Sequence, residues 1–373
     1  MGGANLISHV SAGAGGAALD VGTIDTVARV AVVTSHPLFA EGGHLVIADG
    51  LTAALRDAGH DATVIRTPQN RFGRQGAAYL ATWLTDVGLT HDGTPVDHVV
   101  SFRFPSYAVR HASHVCWLNH RMREYYDQWP RFSGPLSWRG RVKERLRRRV
   151  IHAADRYLLT RNVRRVFAQS RTIQRRLERW GGIPSDVLYP PPPPRPYRCD
   201  GYGDYLFVAS RLSPLKRVGL VLEALAHPVA GGIRCVIAGD GEECETLRSR
   251  INTLGLGERV RLVGTVGETE LVDHLARCRA VCYPPSAEDY GLVTLEAFVS
   301  RKAVITCVDS GGPAELVRAD EDGLVVEPDP ASLAHAFRRV MDDAALAERL
   351  GAAAEARARE FTWDRTIPRL LVG

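Results

Sequence analysis

Short, continuous apolar runs, each leading through a turn into a helical pattern, constrain this chain more than any other feature. Val30-Ala31-Val32-Val33 and Ala62-Thr63-Val64-Ile65 are of this kind, as are Val96–Phe102, His114–Leu118 and Val166–Ala168. The series restarts with Tyr205–Ala209, Arg234–Ala238, Val260–Val263, Ala280–Tyr283 and Ala303–Thr306. Strands that are apolar on both sides belong to sheets covered on both faces. Their alternation with helical segments predicts parallel sheets wrapped by helices, an α/β fold. Between the two series, Tyr189 is followed by prolines from Pro190 to Pro194 and by Pro196. Such a run is stiff and extended and cannot enter a central strand.

The chain has 373 residues, long for one core, so the proline run is the natural boundary. Two domains are expected, 29–199 and 200–373, with the break near Asp200. Residues 1–28, rich in Gly, Ala and Ser, are expected to form a mobile tail without the basic start of a secretory signal. No apolar run reaches the roughly 18–20 residues of a membrane span. Seven cysteines, an odd number without a CxxC pair, point to reduced thiols in a cytoplasm rather than to disulfides or a zinc site.

The net charge of +5 is modest, but Arg139 to Arg149, RGRVKERLRRR, carries seven cations against Glu144. Val142, Leu146, Val150 and Ile151 give it one helical apolar face. A basic amphipathic helix of this kind suits the surface of an anionic membrane, the phosphates of an acceptor, or a solvated face. Nucleic acid is disfavoured, because no binding motif or interleaved aromatics accompany the charge. Asp320-Glu321-Asp322 has metal-binding DxD spacing, but it precedes Gly323 and a late strand, so a surface turn is expected. No paired His or carboxylate set suggests a metal.

The chemistry concentrates in Tyr283 to Glu296, YPPSAEDYGLVTLE. A short strand ends at Pro284-Pro285, a loop carries Glu288, and Leu292, Leu295 and Phe298 begin a helix. The backbone N–H groups of Tyr290, Gly291 and Leu292 lack intrahelical partners, and the helix dipole turns its positive end toward the loop. Such a place suits a phosphate. Glu288 and Glu296 flank it and can accept hydrogen bonds from hydroxyls. Hydroxyls at both ends and phosphate between them describe a nucleotide sugar. The alternative is a surface helix with two solvated acids.

This stretch resembles the E-x7-E motif of retaining glycosyltransferases of family 4, which have the GT-B fold: two Rossmann-like domains with parallel sheets facing across a cleft. Ser210–Lys216, SRLSPLK, resembles the family's RLSPxK element, with Leu215 where an acid is common. Gly239-Asp240-Gly241 resembles its G-x-G loop. The resemblance runs from about Val30 to Trp363 and is strongest between Leu206 and Pro313. It implies that the carboxyl half binds a UDP- or GDP-hexose donor and the amino half binds a hydroxyl acceptor, a glycan, a lipid-linked glycan or a small molecule. No cofactor beyond the nucleotide sugar is implied, and no metal.

Site roles follow from the same likeness. Arg211 and Lys216 are fixed cations that would stabilise the leaving diphosphate. Gly42 and Gly43 match a loop that closes over donor phosphate and acceptor, and His120 matches a histidine that touches the transferred sugar. Gly239 and Gly241 would shape the nucleotide pocket, with Gly264, Thr265 and Val266 holding the base through their backbone. Glu296 would grip the ribose and Glu288 the sugar. A nucleotide-sugar epimerase on the same fold and a non-catalytic sugar-nucleotide binder remain alternatives. The implied location is the cytoplasm of a bacterium, with peripheral contact at the inner face of the membrane through 139–149.

Overall fold

The computed structural model describes residues 27–36, 42–69 and 72–372. The tail expected at 1–28 falls almost wholly outside these residues, as does most of the loop before Gly42.

Two six-stranded, all-parallel sheets carry the fold. The first holds β1 (Arg29–His36), β2 (Asp61–Pro68), β3 (His98–Ser101), β4 (His114–Leu118), β5 (Arg165–Ala168) and β6 (Asp186–Val187). Its spatial order is β2-β1-β3-β4-β5-β6. The second holds β7 (Tyr205–Ala209), β8 (Arg234–Ala238), β9 (Val260–Gly264), β10 (Ala280–Cys282), β11 (Val304–Cys307) and β12 (Gly323–Val326). Its order, β12-β11-β10-β7-β8-β9, is the doubly wound Rossmann arrangement. Every strand read from the sequence is present. Only β6, two residues long, lacked an apolar run to announce it.

Burial explains the runs. Val30, Val32, Val100, Val115 and Phe167 pack with the helix Gly43–Asp57, while Leu206, Val208, Cys235, Ile237 and Ile305 form the corresponding core of the second domain. The first helix ends as its sequence suggests. Gly59, at φ +88°, donates its N–H to the Arg56 carbonyl, and His60 N–H reaches the Leu55 carbonyl. This paired closure needs a residue in the left-handed region.

Two expectations are corrected. The second domain, expected to run to residue 373, does not hold the last helix, Trp363–Leu371, which packs on the first. Ile367, Leu370 and Leu371 are buried with Val30, Leu51 and Trp117, and Trp363 meets the ring of Trp117 edge-on. Apolar complementarity with the first sheet outweighs sequence proximity. On the basic helix, Trp138–Tyr157, Ile151 does not share the face of Val142, Leu146 and Val150. Ile151 is buried, whereas the other three are 57–63% exposed.

The linker from Leu188 to Gly203 has no helix or strand and runs from one sheet to the other. Asp320–Asp322 lies just before β12, at the amino-terminal end of its strand. There Asp322 accepts the Arg318 N–H at 2.7 Å and Asp320 pairs with Arg339, the local turn expected.

Candidate active site

In each sheet the strand order reverses at one place, between β1 and β3 in the first and between β7 and β10 in the second. Ligands of open α/β sheets bind beyond the carboxyl ends of strands at such points. The segments following these four strands meet in a cleft with a cavity of about 640 Å³. Gly42, Gly43 and His120 line it from the first domain. Arg211, Lys216, Glu288, Tyr290, Gly291 and Leu292 line it from the second. A smaller cavity of about 270 Å³ adjoins it, with Arg211 and Ala209 common to both. Gly239, Thr265 and Val266 line this second space. A larger groove of about 1140 Å³ lies at the opposite, amino-terminal end of β5 and contains none of these residues.

The loop 286–291 is held in place by backbone pairing. Ser286 N–H donates to the Leu215 carbonyl at 2.7 Å, Ala287 N–H to Asp309 and Glu288 N–H to Ser310, both at 2.9 Å. Gly312 N–H returns to the Glu288 carbonyl at 3.0 Å. Gly291 sits at φ +86°, and a Cβ there would come within 2.8 Å of both Tyr283 and Pro313. Only glycine makes this turn, and it directs the first turn of the helix Leu292–Val299 at the cleft. The unpaired N–H groups and the helix dipole thus face the cavity.

Lys216 is positioned by the same loop. Its ammonium lies 2.7 Å from Glu288 Oε2 and donates to the Tyr283 hydroxyl at 2.8 Å. Burial works against its charge, but Tyr283 and Glu288 outweigh burial and hold its pKa above the ordinary lysine value. Arg211 is exposed and, among the described residues, forms no ion pair. Arg217, beside them, has φ +51° and fastens the loop by binding Asp309 and the carbonyls of Pro284 and Pro285.

Gly239 and Gly241 permit close contact between two backbones. A Cβ at Gly239 would lie 1.8 Å from the Ser210 carbonyl, and one at Gly241 would lie 2.3 Å from that of Leu212. Their loop therefore interlocks with 210–213, which carries Arg211. Gly241 and Gly264 themselves do not line either cavity.

Glu296 is placed differently from the other predicted site residues. It is buried and pairs with Arg195 of the linker, and the Tyr197 hydroxyl donates to it at 3.2 Å. Arg195 also reaches Glu268 at 3.0 Å, just beyond the Thr265-Val266 wall. Burial raises the Glu296 pKa, against the opposing effect of Arg195. Glu296 lies outside the lining of the cleft, beneath the linker.

The first domain contributes a cationic wall that motif reading missed. Arg103 is buried at the cleft, and its Nη1 lies 3.1 Å from His44 Nδ1. His44 Nε2 meets the Ser35 carbonyl at 3.1 Å, which fixes the tautomer: Nε2–H donates and Nδ1 accepts from Arg103. Burial, then Arg103, push the His44 pKa down to about 3. His120 Nδ1 donates to the Arg121 carbonyl at 2.7 Å, leaving Nε2 as an acceptor. Its pKa falls to about 4 through burial and Arg103. The position of Arg103, directly after an apolar strand, was the available signal.

Asp289 ties the domains together. Arg176 binds its carboxylate, Arg123 lies 3.4 Å away, and the Ser170 hydroxyl donates to its carbonyl. Burial opposes its charge, but the two guanidinium groups hold its pKa below the carboxylate range. Glu315 caps the helix Arg171–Arg179 across the interface, accepting from the backbone of Arg171 at 2.8 Å and of Thr172 at 2.5 Å. Gly43 and Leu292 close one edge of the cleft, since a Cβ on Gly43 would stand 3.1 Å from Leu292 Cδ1. The cleft therefore combines exposed and buried cations, a helix amino terminus and three carboxylates, Glu124, Glu288 and Asp289, of which Glu288 is engaged by Lys216 and Asp289 by Arg123 and Arg176. Chemically it is suited to a phosphorylated ligand with polar groups beside the phosphate.

Residues 199–357 match the family model of glycosyl transferases group 1. The chain is 36% identical over 166 residues to an exopolysaccharide phosphotransferase of Streptomyces coelicolor, covering 43% of this chain and 17% of that protein. It is 33% identical over 188 residues to a D-inositol 3-phosphate glycosyltransferase of Nocardioides sp., covering 44% of this chain and 40% of that one. The chain thus spans less than half the length of these relatives. Among solved structures, sucrose-phosphate synthase from Thermosynechococcus elongatus superposes with a TM-score of 0.70 at 16% identity, covering 91% of this chain and 97% of the other. Anabaena HepE in complex with UDP and glucose gives 0.66 at 18%, with the same coverage. The sheet orders, the cleft and these superpositions together establish the fold: the chain has the GT-B fold, with two parallel α/β sheets facing across a cleft.

Proposed function

We propose that the chain is a retaining glycosyltransferase that moves a hexose or related sugar from a nucleotide diphosphate sugar to a hydroxyl acceptor without a metal ion. The observation that carries this reading is the convergence of Arg211, Lys216 and the amino terminus of the helix Leu292–Val299 on one cavity. The match of 199–357 to the group 1 family model supports it, as does the UDP-and-glucose complex of the structurally similar HepE.

In this reading the nucleoside lies in the smaller space beside Gly239, Thr265 and Val266, and the diphosphate bridges Arg211 and Lys216. The bond between the anomeric carbon and the phosphate oxygen breaks as negative charge grows on the diphosphate. Cations already in place stabilise that charge more than they stabilise the bound donor. The acceptor hydroxyl attacks from the face the diphosphate leaves, and its proton passes to the departing phosphate. A new glycosidic bond of unchanged configuration results. His120 and Glu288 border the sugar, and Gly42-Gly43 covers the phosphates.

The test is turnover of UDP- and GDP-hexoses with a panel of hydroxyl acceptors in excess EDTA, with the product's anomeric configuration read by NMR. Metal-independent transfer with retention is expected. Inverted product, donor isomerisation without transfer, or activity restored only by Mg²⁺ or Mn²⁺ would overturn the corresponding part of the reading.

A further inference from the structure

The helix Trp138–Tyr157 presents two unlike faces. Glu144, Ile151 and Asp155 are buried on one side. On the opposite side Trp138, Val142, Leu146, Val150 and Tyr157 are all 57–66% exposed. Three steps of four residues and one of seven keep these side chains on one slowly turning stripe. Arg141, Arg145 and Arg149 flank it on one edge and Lys143 on the other, and all four are exposed. Among the described residues none of these four forms an ion pair; the one bridge within this helix joins Arg147 to Glu144 on the inner side.

A soluble surface gains nothing from large apolar side chains left in water. A solvated basic face does not need them, and a site for free polyanions needs only the charges. An apolar stripe edged by cations fits an interface with phosphates above and hydrocarbon below. No described helix is long and apolar enough to cross a membrane, so the contact would lie in the plane of the surface.

We propose that this face seats the protein on an anionic phospholipid bilayer. The helix is also joined to the cleft. Arg148 Nε donates to the Tyr125 carbonyl at 2.7 Å, His152 Nε2 lies 2.8 Å from the same oxygen, and the Tyr125 hydroxyl donates to Glu144 at 2.8 Å. The neighbours Arg123 and Glu124 line the cavity. Seating on lipid therefore brings the first-domain wall of the cleft close to the bilayer, which suits an acceptor carried on a lipid. That last step rests on the glycosyl-transfer reading, whereas the docking surface does not.

The test is co-sedimentation with vesicles of phosphatidylcholine alone and of phosphatidylcholine mixed with phosphatidylglycerol. Three proteins are compared: wild type, Arg141→Gln/Arg145→Gln/Arg149→Gln, and Val142→Ser/Leu146→Ser/Val150→Ser. All substituted positions are exposed, and thermal melting checks that each variant folds. Wild type is expected on the anionic vesicles only. Loss of three cations should weaken partition roughly a hundredfold, and the serine variant should lose about tenfold or more. Wild-type binding equal on both vesicles, binding to neither, or either variant binding like wild type would overturn the proposal. A charge-dependent, apolar-independent response would assign the face to soluble polyanions instead. Nucleotide-sugar thermal shifts measured on the same three proteins report separately on the transferase reading.

Discussion

Lys216 and Glu288 neutralise each other across the cleft floor, with Nζ 2.7 Å from Oε2 and only 15% and 19% of the two side chains exposed. A diphosphate entering beside Lys216 must share that ammonium with Glu288. Lys216→Gln strands a largely buried carboxylate and is expected to lower stability by about 3 kcal/mol in urea unfolding. It should also lower kcat by roughly 10²–10³. Glu288→Gln keeps the shape of the loop but removes the carboxylate that the transferase reading sets beside the sugar, so kcat should fall about tenfold or more with a smaller change in donor KM. A Glu288→Gln enzyme that loses only donor affinity would reverse this assignment.

Arg195 and Glu296 form a second pair, between the linker and the helix Leu292–Val299. Glu296→Gln is expected to destabilise the fold by about 3 kcal/mol, because Arg195 loses its buried partner. Arg195→Gln and the double variant complete a cycle whose coupling energy should be about 1–3 kcal/mol. Coupling near zero in urea unfolding would show that the pair does not anchor the linker.

Acid should destabilise this fold through buried neutral histidines. His44 and His114 are pushed down to about 3 and His120 to about 4, in each case first by burial. Unfolding restores a pKa near 6.5, so the unfolded chain binds more protons below that pH. The stability these groups contribute is present above about 6.5 and is lost as pH falls toward their folded values, by up to about 1.4 kcal/mol per pH unit each. His44→Gln should make the fall in unfolding free energy between pH 6.5 and 4 shallower by about that slope. An unchanged slope would mean that His44 is protonated in the folded protein.

The local features of the fold were legible in the sequence. Buried parallel strands must be apolar on both faces, so Val30–Val33 and Leu206–Ala209 declare themselves. Gly291, Arg211 and Lys216 occupy strand-to-helix turns whose chemistry is set within a few residues, and the structure brings them to one cavity. What was not legible depends on distant partners. Arg195 gains its meaning from Glu296, 101 positions away, and Arg176 from Asp289, 113 positions away. The last helix has an ordinary amphipathic pattern that does not say which domain it will cover. The exposure of Val142, Leu146 and Val150 against the burial of Ile151 depends on where the helix sits, which its own sequence leaves open.

In the transferase reading, Arg211, Lys216 and the helix amino terminus form a nucleotide-diphosphate site. Isothermal titration of UDP, GDP and ADP in EDTA, with wild type and with Arg211→Gln, measures whether they do. Arg211 is exposed, so the variant should fold as wild type does. The expected result is one-to-one binding of at least one diphosphate, weakened by Arg211→Gln by about 1.5–3 kcal/mol, the range of a charge-assisted hydrogen bond. No binding of any of the three, or equal affinity in both proteins, would contradict the claim.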